Sequence, residues 1–394
     1  MLEGSVHPDF ADVAATLIPQ IPRDRHAGSA VCVYHRGIPV VDVWGGVKDA
    51  AGNPWQADTI AASFSTTKGV VSTLLHLLVD QGKAAYDDPI ARHWPEFGSR
   101  GKDRITLRQA LCHEAGLYRI TDLINRPGEM LDWTHMKQLI ADADPAHAPG
   151  EAHGYHALTY GWLVGGLVEE IAGKPLQQVL RDELVDPLGL DGMFIGLPGR
   201  ELYRRAELTN GVTVRGRPMG DWQEMLYEWV ETGLGWAGVQ LKEFHSALNP
   251  FNEPFDWNAV ETVQAVIPAA NGQFTARSLA RMYALLAGGG VLNDVRLLAE
   301  DRVREISQVQ SRSRDRVLFL PMHWRMGYHR AFTVGVNAAY AFGHYGYGGS
   351  GAFCDPTREL AVALTLNSGA GTPMGNSNMP LIARAALRAA DRVR

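Results

Sequence analysis

The chain has 394 residues, 37 basic side chains against 43 acidic ones, and a formal charge of −6. With 46% apolar and 20% charged residues it has an ordinary globular balance. That excludes a disordered chain and leaves room for two or three structural units, or one large fold with an insertion. The slight acidity, without any long basic run, gives no electrostatic footprint for nucleic acid.

The three cysteines, Cys32, Cys112 and Cys354, show no C-x-x-C spacing. They argue against a disulfide framework and a cysteine-ligated zinc site, and each reads as a small buried apolar residue. The first twenty residues lack the basic start and apolar stretch of a signal peptide. No apolar run approaches the length of a spanning helix. A cytoplasmic protein without a membrane partner is expected.

In chain order, residues 8–20 predict a short amphipathic helix, with Phe10, Val13, Leu17 and Ile18 near helical spacing. A hairpin follows: 30–34, a turn at His35-Arg36-Gly37, and 38–44. From Ser65 the period changes. Val70, Val71, Leu74, Leu75 and Leu78 mark one side of a long helix ending near Gly82. Helical spacing continues at 107–111, 139–141 and 160–171, between loops rich in Pro, Gly and Asp. The stretch 205–272 carries Trp222, Tyr227, Trp229, Trp236, Phe244, Phe251, Phe255 and Trp257 with poor periodicity. It is expected to be loop-dominated, its rings either core or pocket lining. Further on, 277–286 predicts a helix, 352–354 and 360–366 strands around a turn at 355–358, and 379–393 a final helix. Strands at both ends and helices between them imply one unit of both types from residues 1–85 plus 272–394, with a mainly helical unit, 86–271, inserted.

The sharpest local feature is Ser65-Thr66-Thr67-Lys68 at the head of the long helix. Spacing of i and i+3 puts the hydroxyl and the amine one turn apart on one face. Backbone N–H groups at a helix start favour developing negative charge. A serine there can act as a nucleophile if an unprotonated lysine takes its proton. That requires the lysine pKa to move from about 10.4 to about 7, roughly 4–5 kcal/mol of differential interaction. Taken alone, the tetrad reads equally as a capping serine followed by a solvated lysine.

The wider context decides between them. Ser63-Phe64-Ser65-Thr66-Thr67-Lys68-Gly69 followed by Asp87-Asp88-Pro89-Ile90 resembles the serine β-lactamase-like superfamily, and within it the family VIII carboxylesterases. Three more blocks occur in the family's order. Thr106-Leu107-Arg108 through Cys112-His113-Glu114-Ala115-Gly116-Leu117 resembles its "LLTHTSGL" segment. Pro149-Gly150 with Tyr155-His156-Ala157-Leu158-Thr159-Tyr160 resembles its "PG…YSN…Y" segment. Phe342-Gly343-His344-Tyr345-Gly346-Tyr347-Gly348-Gly349-Ser350 resembles the "FGHxGxGG" block that stands where lactamases have K-T-G.

This resemblance implies a β-lactamase/transpeptidase-like α+β fold, an antiparallel sheet flanked by helices. It implies Ser65 as acylated nucleophile, Lys68 as its proton-transfer partner and Tyr155 as general base alone or with Lys68. A phenolate needs a nearby cation, and Lys68 is the candidate. The backbone N–H groups of Ser65 and Tyr347 would form the oxyanion hole, leaving the Tyr347 side chain replaceable. His344, Tyr345, Gly346 and Trp236 are expected near the substrate. No metal or organic cofactor is implied.

Two departures bear on substrate. Ala157 replaces the asparagine whose amide contacts a β-lactam side chain. His344-Tyr345-Gly346 lacks the permanent cation of K-T-G that pairs with a β-lactam carboxylate, His344 being expected neutral at pH 7. Both point toward compact neutral esters. The alternatives are an amidase, peptidase or weak β-lactamase using the same acyl-enzyme, and a catalytically silent binding homologue. Other features read as structural. Gly346 to Gly351 matches G-x-G-x-x-G but leads into a strand, Ser350 lacks a strand-turn-helix setting, and His153, His156 and Glu151 lack metal-ligand spacing. His113 and Glu114 read as organisers of a helix–loop junction.

Overall fold

Apolar runs near both termini pair with one another. The computed structural model describes residues 2–21, 26–209, 241–248, 255–368 and 377–393. Its main sheet contains β1 (Glu3–Val6), β2 (Gly28–His35), β3 (Ile38–Gly46), β4 (His329–Arg330), β5 (Phe342–Tyr345), β6 (Gly351–Asp355) and β7 (Leu360–Leu366). Their order is β1-β3-β2-β7-β6-β5-β4, antiparallel throughout. The central seam joins the two ends of the chain, Leu364 facing Val31 and Leu366 facing Ser29. Every residue of β7 is buried, because helices cover both faces of the sheet.

On one face lie α1 (Ala11–Leu17) and the C-terminal helix Asn378–Arg392, closing over Val31, Val33, Val362 and Leu364. Short 3-10 turns flank α1, and Ile18 is exposed rather than part of its buried stripe. Pro19 removes an amide donor just where the helix would continue. The other face carries α2 (Thr66–Asp80), followed in the chain by α3 (Leu107–Leu111), α4 (Trp133–Asp142), α5 (Thr159–Ala172) and α6 (Ala276–Ala287). One continuous apolar cluster runs from Cys32 and Ala363 of the sheet through α2 to Leu163 and Leu167 of α5.

The expectation of a one-sided α2 is corrected. Every residue from Thr66 to Val79 is buried, because α5 and α6 and the sheet enclose the helix. Its polar side chains therefore need internal partners. Ser72 Oγ lies 2.7 Å from the Tyr160 hydroxyl, and Thr73 Oγ1 2.8 Å from that of Tyr328. His76 Nε2 donates to the Met326 carbonyl (3.1 Å), and because burial keeps the ring neutral its Nδ1 accepts from the Tyr86 hydroxyl (2.9 Å). Within 205–272, Leu241–Leu248 and Val260–Gln264 are helical, and the other described residues lie outside helices. Trp222, Tyr227, Trp229, Trp236 and Phe251 lie outside the described residues.

Two glycines set how closely α2 and β5 approach. A Cβ at Gly69 would come 2.3 Å from the Tyr283 hydroxyl oxygen and 3.6 Å from His344 Cβ. A Cβ at Gly346 would come 2.3 Å from the Ser63 carbonyl oxygen and 3.1 Å from Thr66 Oγ1. The end of β5 thus rests directly on the turn that opens α2.

Two outcomes follow from this packing. Gly346→Ala should lower the unfolding free energy by about 1–3 kcal/mol, read by urea denaturation, because the turn backbone must yield. Burial moves the pKa of His76 from 6.5 to about 3. The unfolded chain then binds a proton that the native chain refuses, so stability falls as pH drops from 6.5 toward 3. Between pH 6.5 and 5 the wild type should lose about 2 kcal/mol more than His76→Gln, measured by denaturation at both pH values.

Candidate active site

Ser65 sits at the N-terminal boundary of α2 with φ −62° and ψ −10°, and its hydroxyl makes no capping bond. The side chain is half-buried and left for other partners. The residue before it, Phe64, has φ +42°, a left-handed backbone that costs a non-glycine residue about 1–3 kcal/mol. Two interactions hold it there. Thr67 N donates to the Phe64 carbonyl (2.9 Å), and the Phe64 ring is held edgewise by Trp257 (5.4 Å) and Tyr347 (5.6 Å).

Lys68, one turn along α2, is completely buried. Its Nζ lies 3.0 Å from Ser65 Oγ, 2.6 Å from the Ala157 carbonyl and 3.0 Å from the Ala269 carbonyl. Among the described residues no carboxylate pairs with it, and desolvation holds its pKa well below the usual lysine range. A neutral amine has two N–H bonds and one lone pair. In that form the two carbonyls would take the N–H bonds and leave the lone pair for the Ser65 hydroxyl proton. Tyr155, in the loop before α5, brings its hydroxyl to 2.8 Å from Ser65 Oγ. The Lys68 amine and the Tyr155 phenol, read from two separate blocks, meet at the Ser65 oxygen.

The expected electrostatics of the tyrosine are reversed. Burial pushes the Tyr155 phenol well above 10, although its bond to Ser65 pulls the other way. Desolvation of Lys68 likewise disfavours the cation that a phenolate needs. Burial favours the uncharged amine and the protonated phenol over an ammonium–phenolate pair. Neighbouring imidazoles are neutral too. His156 Nδ1 donates to the Gly154 carbonyl (2.8 Å) while its Nε2 accepts from Leu117 N (3.0 Å). His329 Nδ1 donates to the Arg330 carbonyl (2.7 Å) while its Nε2 accepts from Tyr345 N (3.0 Å). Burial takes His156 to about 3 and His329 to about 4.

The remaining expected residues divide. His344 faces the site, its ring stacked 6.2 Å from Tyr155. Burial and nearby His329 and Lys68 depress its pKa. Its Nδ1 donates to the Tyr345 carbonyl (3.2 Å), so Nε2 remains an acceptor, without a partner among the described residues. Beside it a cavity of about 10 Å³ is lined by Tyr155, Trp324, His329 and Phe332. Gly346 contributes closeness, as above, rather than a contact of its own.

Tyr345 lines the same cavity, while its ring belongs to the cluster under α1 and the C-terminal helix. Its hydroxyl donates to the Phe332 carbonyl (3.1 Å), because successive strand residues face opposite sides. The N–H groups of Ser65 and Tyr347 donate to no described backbone group. The Tyr347 ring is not idle, since it braces Phe64. Trp236 lies outside the described residues.

Ser350 is buried, with its carbonyl accepting from Gly346 N (2.7 Å). His113, read as a junction organiser, has φ +62° and lays its ring 5.2 Å from Tyr155. Sequence reasoning missed Asp315, whose carboxylate accepts from Tyr155 N (3.1 Å) across 160 residues. Its one visible oddity is being the lone acid among Arg312, Arg314 and Arg316.

The family described as Beta-lactamase matches residues 14–387. The chain is 36% identical over 374 residues to Esterase/beta-lactamase LipL of Mycobacterium tuberculosis (strain ATCC 25618 / H37Rv), covering 92% of this chain and 82% of LipL. Among solved structures it is similar to a penicillin-binding protein homolog from Caulobacter crescentus, at TM-score 0.84 and 33% identity over 99% of this chain and 100% of that one. It is equally similar in fold to a family VIII carboxylesterase, at TM-score 0.84 and 28% identity over 99% and 100% of the two chains. Among the described residues no helix is long and apolar enough to cross a membrane. From its sheet and helices to the extent of these matches, the chain belongs to the beta-lactamase family of hydrolases, with esterases among its relatives.

Proposed function

We propose that the protein is a serine carboxylesterase that hydrolyses compact neutral esters through an acyl-enzyme on Ser65. The observation that carries this reading is the buried Lys68 amine, 3.0 Å from Ser65 Oγ, with two carbonyls on its other side. Ser65 Oγ attacks the ester carbonyl as its proton passes to Lys68 Nζ. The tetrahedral oxyanion is held by the N–H groups of Ser65 and Tyr347, each such donor being worth about 2.7–4 kcal/mol. The proton then returns from the ammonium to the leaving alkoxide through the Tyr155 hydroxyl, which gives one proton and takes one. Water attacks the acyl carbonyl, its proton follows the same route to Ser65 Oγ, and the carboxylic acid leaves.

The substrate class rests on charge. Among the described residues Lys68 is the one basic side chain hydrogen-bonded to Ser65, and its charged form is disfavoured by burial. The neutral His344 offers no permanent partner for a substrate carboxylate. A partly buried aromatic wall of Phe64, Trp257 and Tyr347 adjoins the nucleophile and suits an apolar acyl or alcohol group. A second reading, weak β-lactam hydrolysis by the same acyl-enzyme, is favoured by the name of LipL, an esterase/beta-lactamase.

Intact-protein mass spectrometry after a fluorophosphonate should place a single adduct on Ser65, and Ser65→Ala should neither label nor hydrolyse p-nitrophenyl acetate. An adduct elsewhere sinks the reading. A chromogenic cephalosporin turned over faster than the nitrophenyl ester would favour the second reading. Because the base must be neutral, kcat/KM should rise with pH through the depressed Lys68 pKa and stay high on the alkaline side, where the phenol keeps its proton. Lys68→Arg, permanently charged, should lose about 10²–10⁴-fold at every pH. A variant that regained activity at high pH would contradict an amine base.

A further inference from the structure

We infer that Asp315, acting through Trp324, is the positioning residue that sets the Tyr155 phenol on the nucleophile. The inference rests on the proposed role of Tyr155. Asp315 lies in the long connection between the helix Glu300–Ile306 and β4 and is 1% exposed. Its Oδ1 accepts from Tyr155 N (3.1 Å), Val317 N (2.8 Å) and Leu318 N (2.9 Å). Its Oδ2 accepts from Trp324 Nε1 (3.0 Å). All four partners are donors, so the carboxylate, an acceptor on both oxygens, is the form that fits.

The indole held by that second oxygen is completely buried and lies parallel to the Tyr155 ring, 5.5 Å between centroids and 13° between planes. His113 meets the same indole at 4.3 Å and the Tyr155 ring at 5.2 Å. One anion therefore fixes the tyrosine twice. It holds the backbone by a direct hydrogen bond and the ring plane through the indole stacked on it. With the main chain and the ring plane both set, little freedom remains to carry the hydroxyl off Ser65 Oγ, 2.8 Å away. A misplacement of about 1 Å at such a contact costs on the order of 10²-fold in rate. Among the described residues Asp315 makes no hydrogen bond to Ser65 or Lys68, and it reaches the nucleophile through Tyr155 and Trp324.

The test uses the full chain, with kcat and KM on p-nitrophenyl acetate, the rate of fluorophosphonate inactivation, and Tm. D315N keeps an acceptor for the three backbone N–H groups but turns an NH2 toward the indole N–H. It should lower kcat about 10–100-fold with KM changed by less than about twofold. W324F keeps a ring under Tyr155 and removes the indole donor. In D315N/W324F the donor–donor clash is gone, and kcat should recover about fivefold or more over D315N. W324L, which removes both bond and stack, should match D315N in kcat and so decides the matter if D315N fails to fold. Tyr155→Phe, which keeps the stack, should lose about 10²-fold or more.

Folded D315N and W324L enzymes with kcat within about twofold of wild type would overturn the positioning role while Tyr155→Phe remained inactive. Losses that follow Tm alone, with no recovery in the double variant, would overturn it as well. A fully active Tyr155→Phe would instead overturn the reading of the site on which the inference stands.

Discussion

A buried amine with no carboxylate paired to it among the described residues is the constraint on which this site depends. Lys68 is enclosed on a helix that is buried along its length, and desolvation disfavours its ammonium form. Pairing it with an acid would restore the charge and remove the base. The fold supplies two main-chain carbonyls, from Ala157 and Ala269, as acceptors that compensate the N–H bonds without carrying charge. These carbonyls come from the loop before α5 and from the segment before α6. Three distant pieces of chain must therefore be in place for one nitrogen to be poised.

The same economy of charge extends outward. His156 and His329 each donate to a carbonyl and accept from a backbone N–H, an arrangement that holds them neutral. His344 is neutral by burial. The carboxylate of Asp315 is kept one residue removed from the nucleophile and surrounded by four N–H donors. A developing oxyanion in the proposed reaction would meet few competing charges, and in a low dielectric the oriented N–H groups then count for more. The left-handed Phe64 backbone belongs to the same design. Local strain is accepted where the chain must turn sharply into α2, and the Trp257 and Tyr347 rings hold it there.

Much of the architecture was legible because it follows local periodicity. The hairpin at 28–46, the strand at 360–366 and the helices around 107–111, 159–172 and 276–287 stand close to where residue patterning put them. Their apolar spacing is dictated by the face each buries. The one-sided stripe expected for α2 failed for the opposite reason. Periodicity distinguishes a buried face from a wet one, and a helix enclosed on all sides has no wet face to reveal. Its polar residues, Ser72, Thr73 and His76, look like a solvated side until Tyr160, Tyr328 and Tyr86 are found opposite them.

At the site, the residue types that do chemistry stand in short ordered blocks, and Ser65, Lys68 and Tyr155 could be named from them. Their protonation could not. Whether the lysine is a cation beside a phenolate or an amine beside a phenol depends on desolvation, which is a property of everything packed around both groups. Tyr345 lies next to His344 in the chain yet serves the opposite face of the sheet, which only strand pleating and register settle. Asp315 carries no local signature at all, because its meaning comes from a hydrogen bond to a backbone 160 residues away. Sequence alone determined which elements form and which side chains carry reactive atoms, since both are encoded within a few residues. Tertiary structure alone decided their charge states and their supports, since burial and long-range hydrogen bonds exist only once distant segments meet.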